Sequence, residues 1–208
     1  MSDYTYEFEN RSNCLEHYEW DNTWWDSADV TGTPRVLYIG DSISCGARKV
    51  ATQVSGGSLL FDGFGTSKAL DNPHFFPSVR LFAAQQRDRC AILFNNGLHG
   101  WHLEDEFEYG KHYEAFLKNL LAEFEGTPIL LLLSTAVANA ERNARVITRN
   151  KAVLSLAEKY GLPVVDLYSL VDNHREFLSP DGVHLTPEGY KILASTLIDA
   201  VKNVGVTS

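Results

Sequence analysis

Residues 36–46 read VLYIGDSISCG. An apolar run reaches Gly40, and an acid and two hydroxyls, Asp41, Ser42 and Ser44, follow at once. Two readings are open at this point. The stretch is either a turn with a polar cap or a nucleophile held at the end of a strand. The rest of the chain decides between them.

From Arg35 onward a rhythm runs through the sequence. Short apolar runs recur as RVLYIG (35–40), LLFDG (59–63), AILFN (91–95), ILLLLS (129–134) and PVVDL (163–167). They are nearly continuous in hydrophobicity rather than alternating, the pattern of parallel strands buried on both faces. Helical patterns lie between and after them. Tyr113, Phe116, Leu117, Leu120, Leu121 and Phe124 fall on one helical stripe. Tyr190, Leu193, Ala194, Leu197, Ile198 and Val201 repeat the same spacing, with Thr186 placed as N-cap and Pro187 in the first turn. Residues 141–160 predict a third helix, closed by Gly161 and followed by Pro163. Strand–helix alternation implies a doubly wound α/β sandwich around a parallel sheet of five strands. The chain reads as one domain over residues 1–208, with residues 1–33 an irregular, aromatic-rich N-terminal extension.

Composition narrows the function classes. The formal net charge of −9 argues against a nucleic-acid partner, since phosphate binding rests on Lys and Arg. Three cysteines, Cys14, Cys45 and Cys90, are widely spaced and form no Cys-x-x-Cys pair, so neither a zinc knuckle nor a disulfide framework is expected. The N-terminus is polar and acidic without the apolar core of a signal peptide, and PILLLLSTAVA (128–138) is too short to span a bilayer. These features predict a cytoplasmic protein with no membrane partner. Oligomeric state is not legible.

In doubly wound sheets, ligands sit beyond the carboxyl ends of the strands. The residues that follow the apolar runs are Gly40-Asp41-Ser42, DGFGTSK with Gly63 and Gly65, NNGLHGWH with Asn96, Gly97, His99 and His102, and Ser134-Thr135. SPDGVHLTP, with Asp181 and His184, precedes the last helix. A serine hydroxyl needs a base within hydrogen-bond reach, and a histidine serves as that base when an acceptor holds its other ring nitrogen. Asp181 and His184, three residues apart, can supply both from one loop. Acyl transfer also needs donors aimed at the developing oxyanion, a role suited to the backbone N–H groups of Ser42 and a glycine such as Gly65.

This ordered set resembles the SGNH (GDSL) hydrolases over residues 35–203. The resemblance implies a flavodoxin-like strand order, with Ser42 as nucleophile, His184 as base, Asp181 as its orienting acid and Gly65 as a backbone donor. The third block departs from the family pattern of Gly-x-Asn-Asp. With Gly97 aligned, His99 stands where the family has its oxyanion-hole Asn. Either His99 donates instead or Asn96 reaches in, and spacing favours His99. Asp41, Trp101 and His102 are candidate substrate contacts, the flat indole suiting a sugar ring. Arg142, Arg145 and Arg149 share one helix face and read by default as solvated, and Cys45 reads as a small buried residue.

HGWH places two imidazoles three residues apart without a companion carboxylate or thiolate cluster, so no metal is expected, and no organic cofactor is implied. The expected function is hydrolysis of a small acyl ester, acetyl being favoured, on a carbohydrate or other small-molecule alcohol. A general short-chain carboxylesterase or lipase-like hydrolase is the enzymatic rival. A non-catalytic carbohydrate-binding domain on the same fold is the rival from a different class.

Overall fold

The computed structural model describes residues 14–206. The first thirteen residues, on which most of the signal-peptide reading falls, lie outside the described residues. Five parallel strands form as expected: β2 (Arg35–Gly40), β3 (Leu60–Thr66), β4 (Arg89–Phe94), β5 (Ile129–Leu132) and β6 (Val164–Val165). Their spatial order is β3-β2-β4-β5-β6, so the chain reverses direction across the sheet at β2.

A sixth strand extends this arrangement. β1 (Asp21–Trp24) pairs antiparallel with β3, Asp21 opposite Thr66 and Trp24 opposite Gly63. The N-terminal extension is therefore not irregular throughout. All four residues of β1 are exposed, as befits an edge strand, and no apolar run marks them. Side chains of the core hold this segment down. Arg35 forms a buried pair with Asp62 at 2.9 Å and donates to the carbonyls of Asp26, Ser27 and Val30. Arg48 donates to the backbone and side-chain oxygens of Asn22 and lies over the Trp24 ring.

Helices cover both faces of the sheet. α1 (Ser42–Val54) and α6 (Pro187–Asn203) pack on one side, with Val36, Tyr38, Ala47, Leu193 and Leu197 in the core beneath them. α2 (Phe75–Ala83), α3 (Glu106–Glu123) and α4 (Ala140–Tyr160) meet the other, where Phe75, Phe94 and Phe116 cluster. The short α5 (Leu167–Asp172) and a 3₁₀ turn (Arg175–Phe177) lead into the last loop. Thr186 caps α6 by accepting from Gly189 N–H, and Gly161 ends α4 at φ 64°, both as the sequence predicts. α2 tolerates Pro77 because it falls in the first turn, where a backbone N–H has no intrahelical acceptor. Among the described residues no helix is long and apolar enough to cross a membrane.

Candidate active site

The end of β2 hands the chain directly to α1. Asp41 caps the helix, accepting from Ile43 N–H at 2.9 Å, and Ser42 is the first helical residue. The Ser42 backbone N–H therefore has no intrahelical acceptor. Gly65 lies beside this corner, opposite Gly40 at the last rung of the β2–β3 ladder. A Cβ at Gly65 would stand 2.3 Å from Cys45 Sγ, so any larger residue there would have to displace the Cys45 side chain. Gly65 is inside β3, flanked by Gly40 and by Asn22 of β1, rather than in the loop beyond the strand.

The loop before α6 brings the other partners. His184 Nε2 lies 2.9 Å from Ser42 Oγ, and His184 Nδ1 lies 2.8 Å from Asp181 Oδ2. The other Asp181 oxygen accepts from Val183 N–H, His184 N–H and the Ser179 hydroxyl, at 2.9, 2.9 and 2.8 Å. Partial burial alone pushes the Asp181 carboxyl up, but these hydrogen bonds and the one from the His184 ring outweigh it and hold the group well below the usual carboxylate range. An ionised Asp181 accepts the Nδ1 proton of His184. That leaves the Nε2 lone pair facing the serine hydroxyl, the tautomer a general base needs.

The loop after β4 is built differently from what periodicity suggests. Gly97 packs so tightly that a Cβ there would fall 1.7 Å from Ser134 Oγ. Tyr109 OH donates to the Asn96 carbonyl, and Asn96 Nδ2 donates to the Lys68 carbonyl at 2.9 Å. Arg149 does not belong to a solvated face. It is 3% exposed and donates to the carbonyls of Gly97, His99, Gly100 and Leu103 at 3.1, 2.7, 2.7 and 3.2 Å. Burial lowers its pKa to about 10, which keeps the guanidinium charged at neutral pH. Arg145 donates to the carbonyls of Trp101 and Leu103. The helix spacing of these arginines was visible in the sequence; the burial of Arg149 was not, because carbonyl acceptors leave no compositional signal.

The candidate substrate contacts are corrected by burial. Trp101 is 4% exposed and lies in the core with Arg145 and Arg149 over its ring at 4.9 and 4.6 Å. Its indole is packed in the core under two guanidiniums, where the sequence suggests an open platform for a sugar ring. Trp101→Phe should then cost about 1–3 kcal/mol of stability while changing KM less than about 2-fold. Thermal melts and steady-state kinetics check this, and a KM raised more than tenfold would return Trp101 to the substrate. Asp41 is a buried helix cap whose second oxygen, Oδ2, is enclosed without a partner. His102 spends Nε2 on Asp71, at 2.8 Å, tying its loop to the segment before α2. Among the described residues, no hydrogen bond joins Trp101 or His102 to Ser42, His184 or Asp181.

His99 is mostly buried and its Nδ1 meets Glu16 Oε1 at 3.0 Å. The Trp20 ring stands edge-on to it, with centroids 5.9 Å apart. Both partners come from the N-terminal extension, and neither was singled out from the sequence because nothing in their spacing points to the third loop. Among the described residues the three cysteines are free, and no group of three or more His, Cys, Asp and Glu residues is arranged to hold a metal ion.

Residues 38–192 match the model of the GDSL-like lipase/acylhydrolase family. The chain belongs to that family. It is accordingly a serine ester hydrolase of the SGNH type, and the matched region runs from within β2 to the first turns of α6. Solved structures with the same fold include the acetyl xylan esterase AlAXEase, at 20% identity and TM-score 0.61, covering 80% of this chain and 99% of that one. Est24, a carbohydrate acetylesterase from Sinorhizobium meliloti, matches at 13% identity and TM-score 0.66, covering 82% and 99%. A lipase/acylhydrolase from Enterococcus faecalis matches at 15% identity and TM-score 0.64, covering 82% and 96%. A comparison with curated protein sequences finds no match.

Proposed function

We propose that this GDSL-family enzyme removes a small acyl group, acetyl by preference, from a carbohydrate ester, with Ser42, His184 and Asp181 as its catalytic triad. The observation that carries the mechanism is the unbroken chain of hydrogen bonds from Ser42 Oγ through the His184 ring to Asp181. His184 accepts the Ser42 proton as Oγ attacks the ester carbonyl. It then protonates the departing alcohol, leaving an acyl-serine. A water deprotonated by the same imidazole attacks the acyl carbon, and the proton returns to Ser42 as the acid leaves. Asp181 remains ionised throughout and stabilises the transient imidazolium.

The oxyanion is received by the Ser42 N–H and by His99 Nε2, with Gly65 at the same edge as a second backbone donor. His99 is assigned the role on its spacing from Gly97, and Asn96 already donates to the Lys68 carbonyl. His99→Ala should lower kcat by about 10²–10³-fold with KM little changed, because the donor acts mainly in the transition state. Asn96→Ala should act chiefly on stability, through the lost bond to Lys68. The reverse pattern would transfer the role to Asn96.

Neighbours in fold support acetyl and carbohydrate. Two of the structures sharing the fold are described as a carbohydrate acetylesterase and an acetyl xylan esterase. Acid release from acetylated oligosaccharides and from p-nitrophenyl esters of increasing chain length tests the reading. The highest kcat/KM is expected on acetyl sugars. A kcat/KM that climbs with acyl length would favour a lipase-like enzyme, and sugar binding without turnover of any ester would favour a binding module.

A further inference from the structure

The N-terminal segment places a carboxylate on His99, the residue that stands where the family pattern has its oxyanion-hole Asn. Glu16 Oε1 meets His99 Nδ1 at 3.0 Å and also accepts from Gly100 N–H at 3.3 Å. The two side chains are only 8% and 7% exposed, and the Trp20 edge closes over the ring. An ionised carboxylate only accepts hydrogen bonds, so Nδ1 must carry the proton. In the neutral ring Nε2 then holds a lone pair, which repels an oxyanion. Only the imidazolium offers N–H at both positions.

Resting on the reading that His99 faces the oxyanion, we propose that Glu16 is a positioning residue that holds His99 as an imidazolium, so that Nε2–H serves as the oxyanion donor. The N-terminal extension is thereby part of the active site rather than an appendage. A buried cation needs such a partner, because desolvation alone drives its proton off. Burial does push the His99 pKa down, but the hydrogen bond and charge of Glu16, joined by the charges of Asp41 at the start of α1 and Glu19, raise it above the ordinary histidine value. Arg149 opposes them from α4, through a guanidinium that holds the His99 carbonyl at 2.7 Å.

The proposal gives the pH profile a specific shape. On the alkaline side, activity falls as His99 loses its proton and Nε2 turns from donor to lone pair. Glu16→Gln removes the charge with little change of shape. The alkaline limb of kcat should then move to lower pH by about one unit or more, and kcat at neutral pH should fall by about tenfold with KM nearly unchanged. His99→Asn should abolish the alkaline limb while keeping part of the rate, since an amide does not titrate.

An NMR titration of the His99 ring in wild type and Glu16→Gln, assigned by its loss in His99→Asn, reads the pairing without reference to turnover. Support requires the ring titration and the alkaline limb to move down together. If both stay in place in Glu16→Gln while His99→Ala is slow, the role of Glu16 is overturned and the His99 reading survives. If the ring titration moves but the alkaline limb does not, and His99→Ala is mild, the His99 reading has failed and the proposal fails with it.

Discussion

Ser42→Ala is expected to lower ester turnover by on the order of 10⁴–10⁶-fold while leaving the melting temperature almost unchanged. The hydroxyl is held 2.9 Å from His184 Nε2 at the first position of α1, and it makes no other hydrogen bond among the described residues. Removing it takes away the attacking atom without unpairing a buried group. His184→Ala should cost about as much, because an unassisted serine hydroxyl is a poor nucleophile at neutral pH. The double variant should be scarcely slower than either single one, since residues acting as one unit are strongly non-additive. Asp181→Asn should lose less activity but more stability, because Asp181 also accepts from Ser179, Val183 and His184 N–H and so shapes the loop that delivers the imidazole. Burst kinetics with a p-nitrophenyl ester and thermal melts separate these effects. A Ser42→Ala protein that kept near wild-type hydrolysis would remove the serine from the mechanism, and a double variant far slower than both singles would show two independent contributions.

The parallel sheet was legible because its strands are buried on both faces and so carry unbroken apolar runs, from the Val36–Ile39 run to Val164–Val165. The last helix was legible for a different reason: its apolar stripe and its Thr186–Pro187 start obey local rules that hold without knowledge of the rest of the chain. β1 was not, since an exposed edge strand of sequence DNTW has no apolar signature and is secured by Arg48 and by pairing with β3. The same distinction divides the site. Ser42, Asp181 and His184 follow strand ends or precede a capped helix, so topology places them at one edge. Trp101 obeys the same positional rule and still turns inward, because Arg145 and Arg149 reach it from a helix some forty residues away in sequence. Glu16 is farther still from His99 along the chain, and a contact of that kind becomes visible only once β1 has fixed the path of the N-terminal segment.

Arg149→Met should be the most destabilising single substitution near the site. The guanidinium donates to four carbonyls within residues 97–103 and lies over the rings of Trp101 and Tyr109 at 4.6 and 4.5 Å. Methionine fills much of the volume but donates nothing, so buried carbonyls lose their partners and the loop loses its common anchor. A cost of about 4 kcal/mol follows from leaving several such groups unsatisfied, or roughly 8–16 °C in melting temperature for a domain of this size. Arg149→Lys should recover only part of this, because an ammonium cannot match a planar fork of five donors. The activity lost in the lysine variant should appear in kcat more than in KM, since the loop carries His99 and Asn96 rather than any substrate contact identified in the fold. Differential scanning calorimetry and kinetics on the two variants give the test. A shift below about 2 °C for Arg149→Met would mean that the four carbonyls find other partners and that the loop is held by Tyr109 and Gly97 instead, leaving the buried charge without a structural role.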